Sequence, residues 1–434
     1  MKKMDRSEEI KEKAKKYLVT SSVSKIEPVV IAKAKGAIIV DIEGKEFIDC
    51  FAGFSVVNAG HCQQQIVDAA MNQAKKLIHA GTYLYYIEPT INLAEKLAEL
   101  TPSPLQMTFF ANSGAEAVEA ALKLARKFTK RYEFVSLMGS FHGRTIGALS
   151  ITGQSNKKKY DMGPFLQGVA FANPPYCYRC DFEKEYPSCD LLCARSLKNT
   201  IEFRTSKGVA AFIAEPVMGE GGIIVPPPNY FKVVKEILDN NNILFIADEV
   251  QTGFARTGKF FAIEHFNITP DFITMAKGIA NGFPLGACTT RSDIGNSFEP
   301  GDHFSSFGGN PVSAAASLAN IKFMLEENLA EKAKDDGNYI LKRLTELKSK
   351  YKIIGDVRGK GLMIGIELVK DQIKKIPAKQ ETSKIRDICR ENGLLIGSGG
   401  MFGCVLRIQP PLVITMEEID RSLEILENAI KTIN

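Results

Sequence analysis

The chain lacks a strong excess of either charge, a long apolar run and a low-complexity segment. Its net charge is +5 over 434 residues, with 55 lysines and arginines against 50 aspartates and glutamates. Nothing in that balance indicates a nucleic-acid partner. No apolar run approaches the ~20 residues that a membrane-spanning helix needs. The lysine-rich N-terminus interleaves acidic residues and has no apolar core of signal-peptide length. We therefore predict no nucleic-acid partner, no membrane partner, and an N-terminal solvated arm or helix.

The nine cysteines are odd in number and follow no secretory signal, which predicts a protein of the reducing cytoplasm. Four of them, Cys177, Cys180, Cys189 and Cys193, are spaced C-x2-C-x8-C-x3-C. Two interpretations stay open: a zinc or iron–sulfur site, or free thiols or a disulfide that closes the loop. Because the spacing is not a strong match to a standard metal motif, we assign no metal ligand.

From about residue 105, continuous apolar runs alternate with helical segments. Such runs are typical of strands buried on both faces of a mostly parallel sheet. The predicted strands are 107–110, 134–137, 208–214, 243–247 and 272–276, the helices between them are 113–126, 198–206, 229–240 and 312–326, and short strands precede them at 29–31, 37–42 and 46–49. Beyond about residue 325, helices alternate with a few strands, which predicts a smaller α+β unit.

Charged residues follow three of these apolar runs: Glu215, Asp248 and Lys277. A single charge at a strand end often only reaches solvent, but ligands of parallel sheets bind beyond the carboxyl ends of the strands. We therefore expect these residues to converge on one crevice. A lysine and an aspartate so placed are the pair that pyridoxal phosphate requires. The lysine forms an imine with the cofactor aldehyde, and the aspartate keeps the pyridine nitrogen protonated.

Two further segments follow predicted strands. Ser113, Gly114 and Ala115 open a helix, where free backbone N–H groups suit a phosphate, although the tripeptide alone favours plain helix capping. Phe141 and His142 follow the strand at 134–137. The ring of Phe141 offers a face for stacking, with core packing as the alternative.

Five segments together resemble the class III, or ω-amino acid type, aminotransferases. They are FANSGAEA at 110–117, SFHGR at 140–144, ADEVQTGFARTG at 247–258, TMAKG at 274–278 and SFGGNP at 306–311. The resemblance extends from about residue 25 to the C-terminus. It implies a fold type I α/β enzyme with a large PLP-binding domain at 59–325, a small α+β domain at 326–434, and an N-terminal arm and segment, 1–58, that joins the small domain.

The resemblance also implies the roles of individual residues. Lys277 would be the Schiff-base lysine that moves the proton, and Asp248 would pair with the pyridinium nitrogen. The remaining cofactor-binding residues would be Ser113, Gly114 and Ala115 at the phosphate, Val250 and Phe141 on the two ring faces, Gln251 at the 3-oxygen, and His142 and Glu215. Ser306 matches a residue that binds the phosphate of a neighbouring subunit. The resemblance therefore implies a homodimer with shared active sites, and leaves open whether dimers pair into tetramers.

Two residues bear on the substrate. Arg407 matches the family arginine that binds the substrate α-carboxylate, and Glu220 matches a glutamate that masks this arginine for donors without an α-carboxylate. The resemblance extends to both 4-aminobutyrate and alanine–glyoxylate aminotransferases. It predicts transfer from an ω-amino acid such as 4-aminobutyrate or β-alanine, or from alanine, to 2-oxoglutarate, pyruvate or glyoxylate. The alternative is an amino-acid racemase that returns the proton to Cα from the opposite face.

Overall fold

The computed structural model describes residues 6–19, 26–154 and 158–433. The α-helices of these ranges are α1 (Arg6–Tyr17), α2 (Ala52–Ser55), α3 (Gln64–Lys76), α4 (Glu88–Leu100), α5 (Gly114–Thr129), α6 (Ile146–Ser150), α7 (Leu192–Arg195), α8 (Leu197–Arg204), α9 (Tyr230–Asn240), α10 (Ser292–Gly295), α11 (Pro311–Glu326), α12 (Leu329–Lys350), α13 (Lys379–Glu391) and α14 (Met416–Lys431). Short 3-10 turns lie at Cys177–Arg179, Ala262–Phe266 and Lys277–Ile279.

The strands are β1 (Ile31–Lys35), β2 (Ile38–Asp41), β3 (Glu46–Cys50), β4 (Leu105–Ala111), β5 (Glu133–Leu137), β6 (Val169–Ala172), β7 (Val209–Ala214), β8 (Leu244–Asp248), β9 (Phe272–Met275), β10 (Gly286–Arg291), β11 (Ile354–Lys360), β12 (Met363–Asp371), β13 (Ile376–Pro377), β14 (Leu394–Gly399) and β15 (Val405–Ile408). They form two sheets.

The larger unit is built on a seven-stranded sheet in the order β4-β10-β9-β8-β7-β5-β6. Strands β5 to β9 pair in parallel, and β10 runs antiparallel to both of its neighbours. Every residue of β5, β7, β8 and β9 is buried, as expected for their largely apolar sequences. The predicted α/β fold is confirmed.

The second sheet has the order β1-β2-β3-β14-β15-β12-β11, with β13 added beside β12. Strand β3 near the N-terminus pairs in parallel with β14 near the C-terminus, while the other pairs are antiparallel. The N-terminal and C-terminal segments therefore share one sheet. The domain boundaries near residues 58 and 325 stay a prediction.

Several predictions about individual strands were wrong. The first strand begins at Ile31 rather than at residue 29, and the strands β6, β10, β11, β13 and β14 were not predicted. Strand β10 has the sequence GACTTR, which has neither an apolar run nor an alternating pattern. It is nevertheless buried because it lies between β4 and β9 and packs against α5, and the Thr289 and Thr108 hydroxyls bond across the pair at 2.8 Å.

One buried arginine joins the segments that carry the two sheets. Arg256 has no exposed surface and donates to the carbonyl oxygens of Leu362, at 3.0 Å, and Pro410, at 2.5 Å. A further bond, of 2.6 Å, links it to the amide oxygen of Asn58. Burial lowers the pKa of Arg256 to about 9. Neutral oxygens therefore bind both Nη atoms of this guanidinium, whereas its Nε has no partner among the described residues.

Candidate active site

The carboxyl ends of β4, β5, β7, β8 and β9 lie at the same edge of the seven-stranded sheet, because β4 also runs parallel to β9. A cavity of about 520 Å³ opens at that edge. Of the predicted site residues, it is lined by Ser113, Gly114, Ala115, Phe141, His142, Glu215, Glu220, Asp248, Val250, Gln251 and Lys277. Arg407 reaches the cavity through its contact with Glu220, whereas Ser306 is exposed and does not line it.

Asp248 lines the cavity and is held by three partners. Its Oδ2 lies 2.6 Å from Nδ1 of His142, and its Oδ1 accepts from the Val250 amide and the Thr274 hydroxyl, both at 3.1 Å. The side chains of Asp248 and His142 are 3% and 0% exposed. A carboxylate with this many partners keeps one orientation, so it presents a fixed charge to the cavity.

The N-terminus of α5 forms a second wall. Ser113 caps the helix, and its hydroxyl accepts from the amide of Glu116 at 3.3 Å. A Cβ added to Gly114 would lie 2.7 Å from Cγ1 of Val250, and one added to Gly286 would lie 2.3 Å from the carbonyl oxygen of Ser113. The two glycines therefore allow β10, the helix and Val250 to approach each other closely. Free amides at a helix start attract a phosphate group.

Lys277 and Glu215 have shifted pKa values at the centre of the cavity. Burial lowers the pKa of Lys277 below the ordinary lysine value, so more of its amine is neutral near pH 7. Lys277 also has a φ of +47°, a left-handed conformation that is uncommon outside glycine and concentrates at functional sites. Burial raises the pKa of Glu215 to about 7. Its two oxygens accept from the amides of Phe141, at 3.0 Å, and Gly219, at 2.8 Å.

Glu220, which lines the cavity, forms an ion pair with Arg407. Nη1 of Arg407 is 2.5 Å from Oε1 of Glu220, and Nζ of Lys158 is 3.2 Å from Oε2. Burial alone would raise the pKa of Glu220. The charges of Arg407 and Lys158 lower it by more, so the pKa of Glu220 lies well below the usual range. Arg407 also lies over the ring of Phe51, 5.1 Å from its centre.

Two buried polar atoms on residues that line the cavity have no partner within the part of the chain that the structure describes. They are Nε2 of His142 and Oε1 of Gln251. A buried polar atom without a partner is unfavourable and points to a polar group supplied from outside the chain. Together with the fixed carboxylate, the helix amides and the lysine amine, these atoms fit the donors and acceptors of pyridoxal phosphate.

Sequence reasoning missed Lys158, Gly143, Arg144, Thr145 and Ala276 as residues of this region. Gly143, Arg144 and Ala276 lie inside the family motifs at 140–144 and 274–278, so these motifs could have predicted them. Lys158 belongs to a run of three lysines, which is more typical of a solvated surface. Its ammonium instead lies 4.0 Å from the centre of the Phe141 ring.

The four clustered cysteines line a separate cavity of about 10 Å³ and carry free thiols. Across residues 6–19, 26–154 and 158–433, no three His, Cys, Asp or Glu side chains are arranged to hold a metal ion. Over the same ranges, none of the helices combines the length and the apolar character needed to cross a membrane.

Comparison with known proteins identifies the family. The aminotransferase class-III family matches residues 19–430. The leucine/methionine racemase of Thermococcus litoralis is 44% identical over 427 residues, which cover 98% of this chain and 96% of the relative. The acetylornithine aminotransferase of Methanosarcina mazei is 44% identical over 403 residues, which cover 93% and 92%. The structure of an aminotransferase from Bacillus anthracis superimposes with a TM-score of 0.93 at 35% identity, over 100% of both chains. The chain therefore belongs to the class III aminotransferases.

Proposed function

We propose that the protein transfers an amino group from an ω-amino acid, such as 4-aminobutyrate or β-alanine, or from alanine, to a 2-oxo acid. The proposed acceptors are 2-oxoglutarate, pyruvate and glyoxylate. The ion pair of Arg407 with Glu220 beside the cavity carries the proposal. Arg407 is 2% exposed, and its partner is a carboxylate of the protein that a substrate carboxylate can replace.

Class III aminotransferases use pyridoxal phosphate, which supplies a ring that accepts electrons from the substrate carbon. In our proposal Ser113, Gly114 and Ala115 bind its phosphate through backbone amides and the serine hydroxyl. Asp248 binds its ring nitrogen, and His142 holds that carboxylate in place at 2.6 Å.

Three other side chains would orient the ring. Phe141 and Val250 would contact its two faces, and Gln251 would donate to the 3-oxygen after rotation of its amide. Glu215 holds the loops that carry Phe141 and Gly219 in place, because its carboxylate accepts from the backbone amides of both residues. The supporting observation is that all four line the same cavity as Asp248.

Lys277 is the proposed acid and base. Its lowered pKa favours the neutral amine that can take a proton from the substrate Cα and return it. Glu220 is the proposed substrate switch. It neutralises Arg407 while an ω-amino donor is bound, and it leaves Arg407 when an α-carboxylate arrives, because a buried unpaired guanidinium would be costly.

A racemase is the second candidate, favoured by the high identity to the leucine/methionine racemase over nearly the whole of both chains. Both activities require the same lysine and the same aspartate. They differ in whether the proton returns to Cα from the opposite face and whether an acceptor takes the amino group.

A panel of single-enantiomer donors, assayed with and without a 2-oxo acid, tests the proposal. We expect stoichiometric transfer from 4-aminobutyrate, β-alanine or alanine to 2-oxoglutarate, pyruvate or glyoxylate, and little racemisation without acceptor. Acetylornithine, leucine and methionine belong in the panel because relatives are named after them. Complete racemisation without acceptor, combined with no transfer when acceptor is added, would establish the racemase instead.

We also propose that two chains form a homodimer in which Ser306 completes the phosphate site of the partner. Ser306 is exposed and lies outside its own cavity. Two exposed aromatic side chains lie next to it in the chain, with Phe304 at 54% and Phe307 at 63%. Clusters of this kind mark interfaces. Light scattering is expected to give a mass of at least twice 47.7 kDa, and a stable monomer would contradict the shared site.

A further inference from the structure

Glu220 is bound by two cations that come from distant parts of the chain. One carboxylate oxygen lies 2.5 Å from Arg407, on β15 of the second sheet, and the other lies 3.2 Å from Lys158, which follows α6 of the larger unit. The side chain of Arg407 is 2% exposed, that of Lys158 is 14% exposed and that of Glu220 is 23% exposed. The carboxylate therefore already contacts both cations before any substrate binds.

The backbone that carries Glu220 is fixed on both sides. The amide of Gly219 donates to Glu215 at 2.8 Å. Beyond Glu220, Arg358 donates to the carbonyl oxygens of Gly222, at 2.6 Å, and Ile223, at 2.9 Å. A loop held at both ends favours rotation of the Glu220 side chain alone over displacement of the loop.

Lys158 depends on Glu220 for its charge partner. Within the described ranges Glu220 is the carboxylate with which Lys158 pairs, and the ring of Phe141 lies 4.0 Å below the ammonium. Burial lowers the pKa of Lys158, while the charge of Glu220 opposes this effect. Each group therefore stabilises the charge of the other even when Arg407 is engaged elsewhere.

We propose that Lys158 is a positioning residue that retains Glu220 when a substrate α-carboxylate takes its place on Arg407. The inference rests on the proposed function and deepens it. Rotation of Glu220 away from Arg407 would otherwise leave a partly buried carboxylate without a counter-charge. The ion pair with Lys158 lowers the free-energy cost of moving Glu220 away from Arg407. It therefore sets the affinity for α-amino and 2-oxo acids relative to ω-amino donors.

The experiment measures binding of pyruvate and 2-oxoglutarate to the holoenzyme by calorimetry, and the half-reaction with 4-aminobutyrate by absorbance. In Lys158→Met, we expect about tenfold weaker binding of both 2-oxo acids, as for the loss of one hydrogen bond to a charged group. The 4-aminobutyrate half-reaction should change less than about twofold, because Glu220 then stays on Arg407. Lys158→Arg should restore the binding of 2-oxo acids.

Lys159→Met is the matched control. Lys159 is the neighbouring lysine, but its ammonium donates to the carbonyl oxygen of Ser150 at 2.9 Å and makes no bond to Glu220. Neither measured quantity should change in this variant. A tenfold loss in Lys159→Met as well would mean that disturbance of the segment, not the Lys158 charge, causes the effect.

A double-mutant cycle with Glu220→Ala separates the alternatives. Without Glu220, Lys158→Met should leave binding of the 2-oxo acids unchanged. An equal loss with and without Glu220 would show that Lys158 contacts the substrate itself and would overturn the proposal. Equal losses for 2-oxo acids and 4-aminobutyrate would show a purely structural role, with the same consequence.

Failure of the proposed function gives a different result. Binding of 2-oxo acids can be measured in the absence of amino transfer, so a wild-type protein that binds them but transfers nothing would refute only the proposed reaction. A wild-type protein that binds neither 2-oxo acid would refute the role of Arg407, and the inference about Lys158 with it.

Discussion

Replacement of Lys277 by alanine is expected to lower kcat for amino transfer by about 10⁴-fold, the upper end of what a positioned acid and base contributes. Lys277 is the lysine among the residues that line the cavity, and burial lowers its pKa below the ordinary lysine value. Steady-state transfer from the best donor of the panel to pyruvate measures the effect. The absorbance of the bound cofactor should change as well, because Lys277 would no longer be attached to it.

Lys259→Ala provides the control for this variant. Lys259 is an exposed lysine eighteen positions earlier in the chain and does not line the cavity. Its replacement should leave kcat within about twofold, as for most surface changes. Retention of more than a tenth of the activity in Lys277→Ala, with a native circular dichroism spectrum, would rule out Lys277 as the acid and base.

Replacement of Glu220 by alanine is expected to change the rates of the two half-reactions by different amounts. The ω-amino half-reaction should slow by about 10- to 100-fold, because Arg407 would then be buried without a carboxylate, at a cost of about 1–3 kcal/mol. The half-reaction with alanine should change by less than about threefold, because its own carboxylate pairs with Arg407. Single-turnover absorbance measurements with 4-aminobutyrate and with alanine give the two rates separately.

Glu236→Gln is a suitable control because Glu236 is an exposed glutamate on α9, away from the cavity. It should affect neither rate. Equal losses for both donors in Glu220→Ala would contradict the switch and would instead indicate that Glu220 only supports the loop at 219–223.

Much of the larger unit could be predicted from local pattern. The runs that became β7, β8 and β9 are continuously apolar because neighbouring strands and helices cover both faces, and this requirement is visible in sequence. Residues that follow such runs, such as Asp248 and Lys277, could also be assigned to one edge of the sheet. Strand β10 escaped prediction because its burial comes from its position between β4 and β9, not from its composition.

The substrate end of the cavity depended on contacts between distant parts of the chain. Arg407 and Glu220 are 187 positions apart, and Lys158 and Glu220 are 62 positions apart. The resemblance predicted the first pair by motif, but nothing in a run of lysines distinguishes Lys158 from a surface charge. Its partner becomes apparent only when the segment after α6 packs beside the loop at 219–223.

The sequence by itself determined the fold class, the family motifs and the charged residues that follow the buried strands, because each is encoded within a few neighbouring positions. Only the tertiary structure decided which charges meet: His142 with Asp248, and Glu220 with both Arg407 and Lys158. The physical reason is that burial of an apolar strand is signalled by its own side chains. The partner of a buried charge is set instead by how two sheets and their loops pack together.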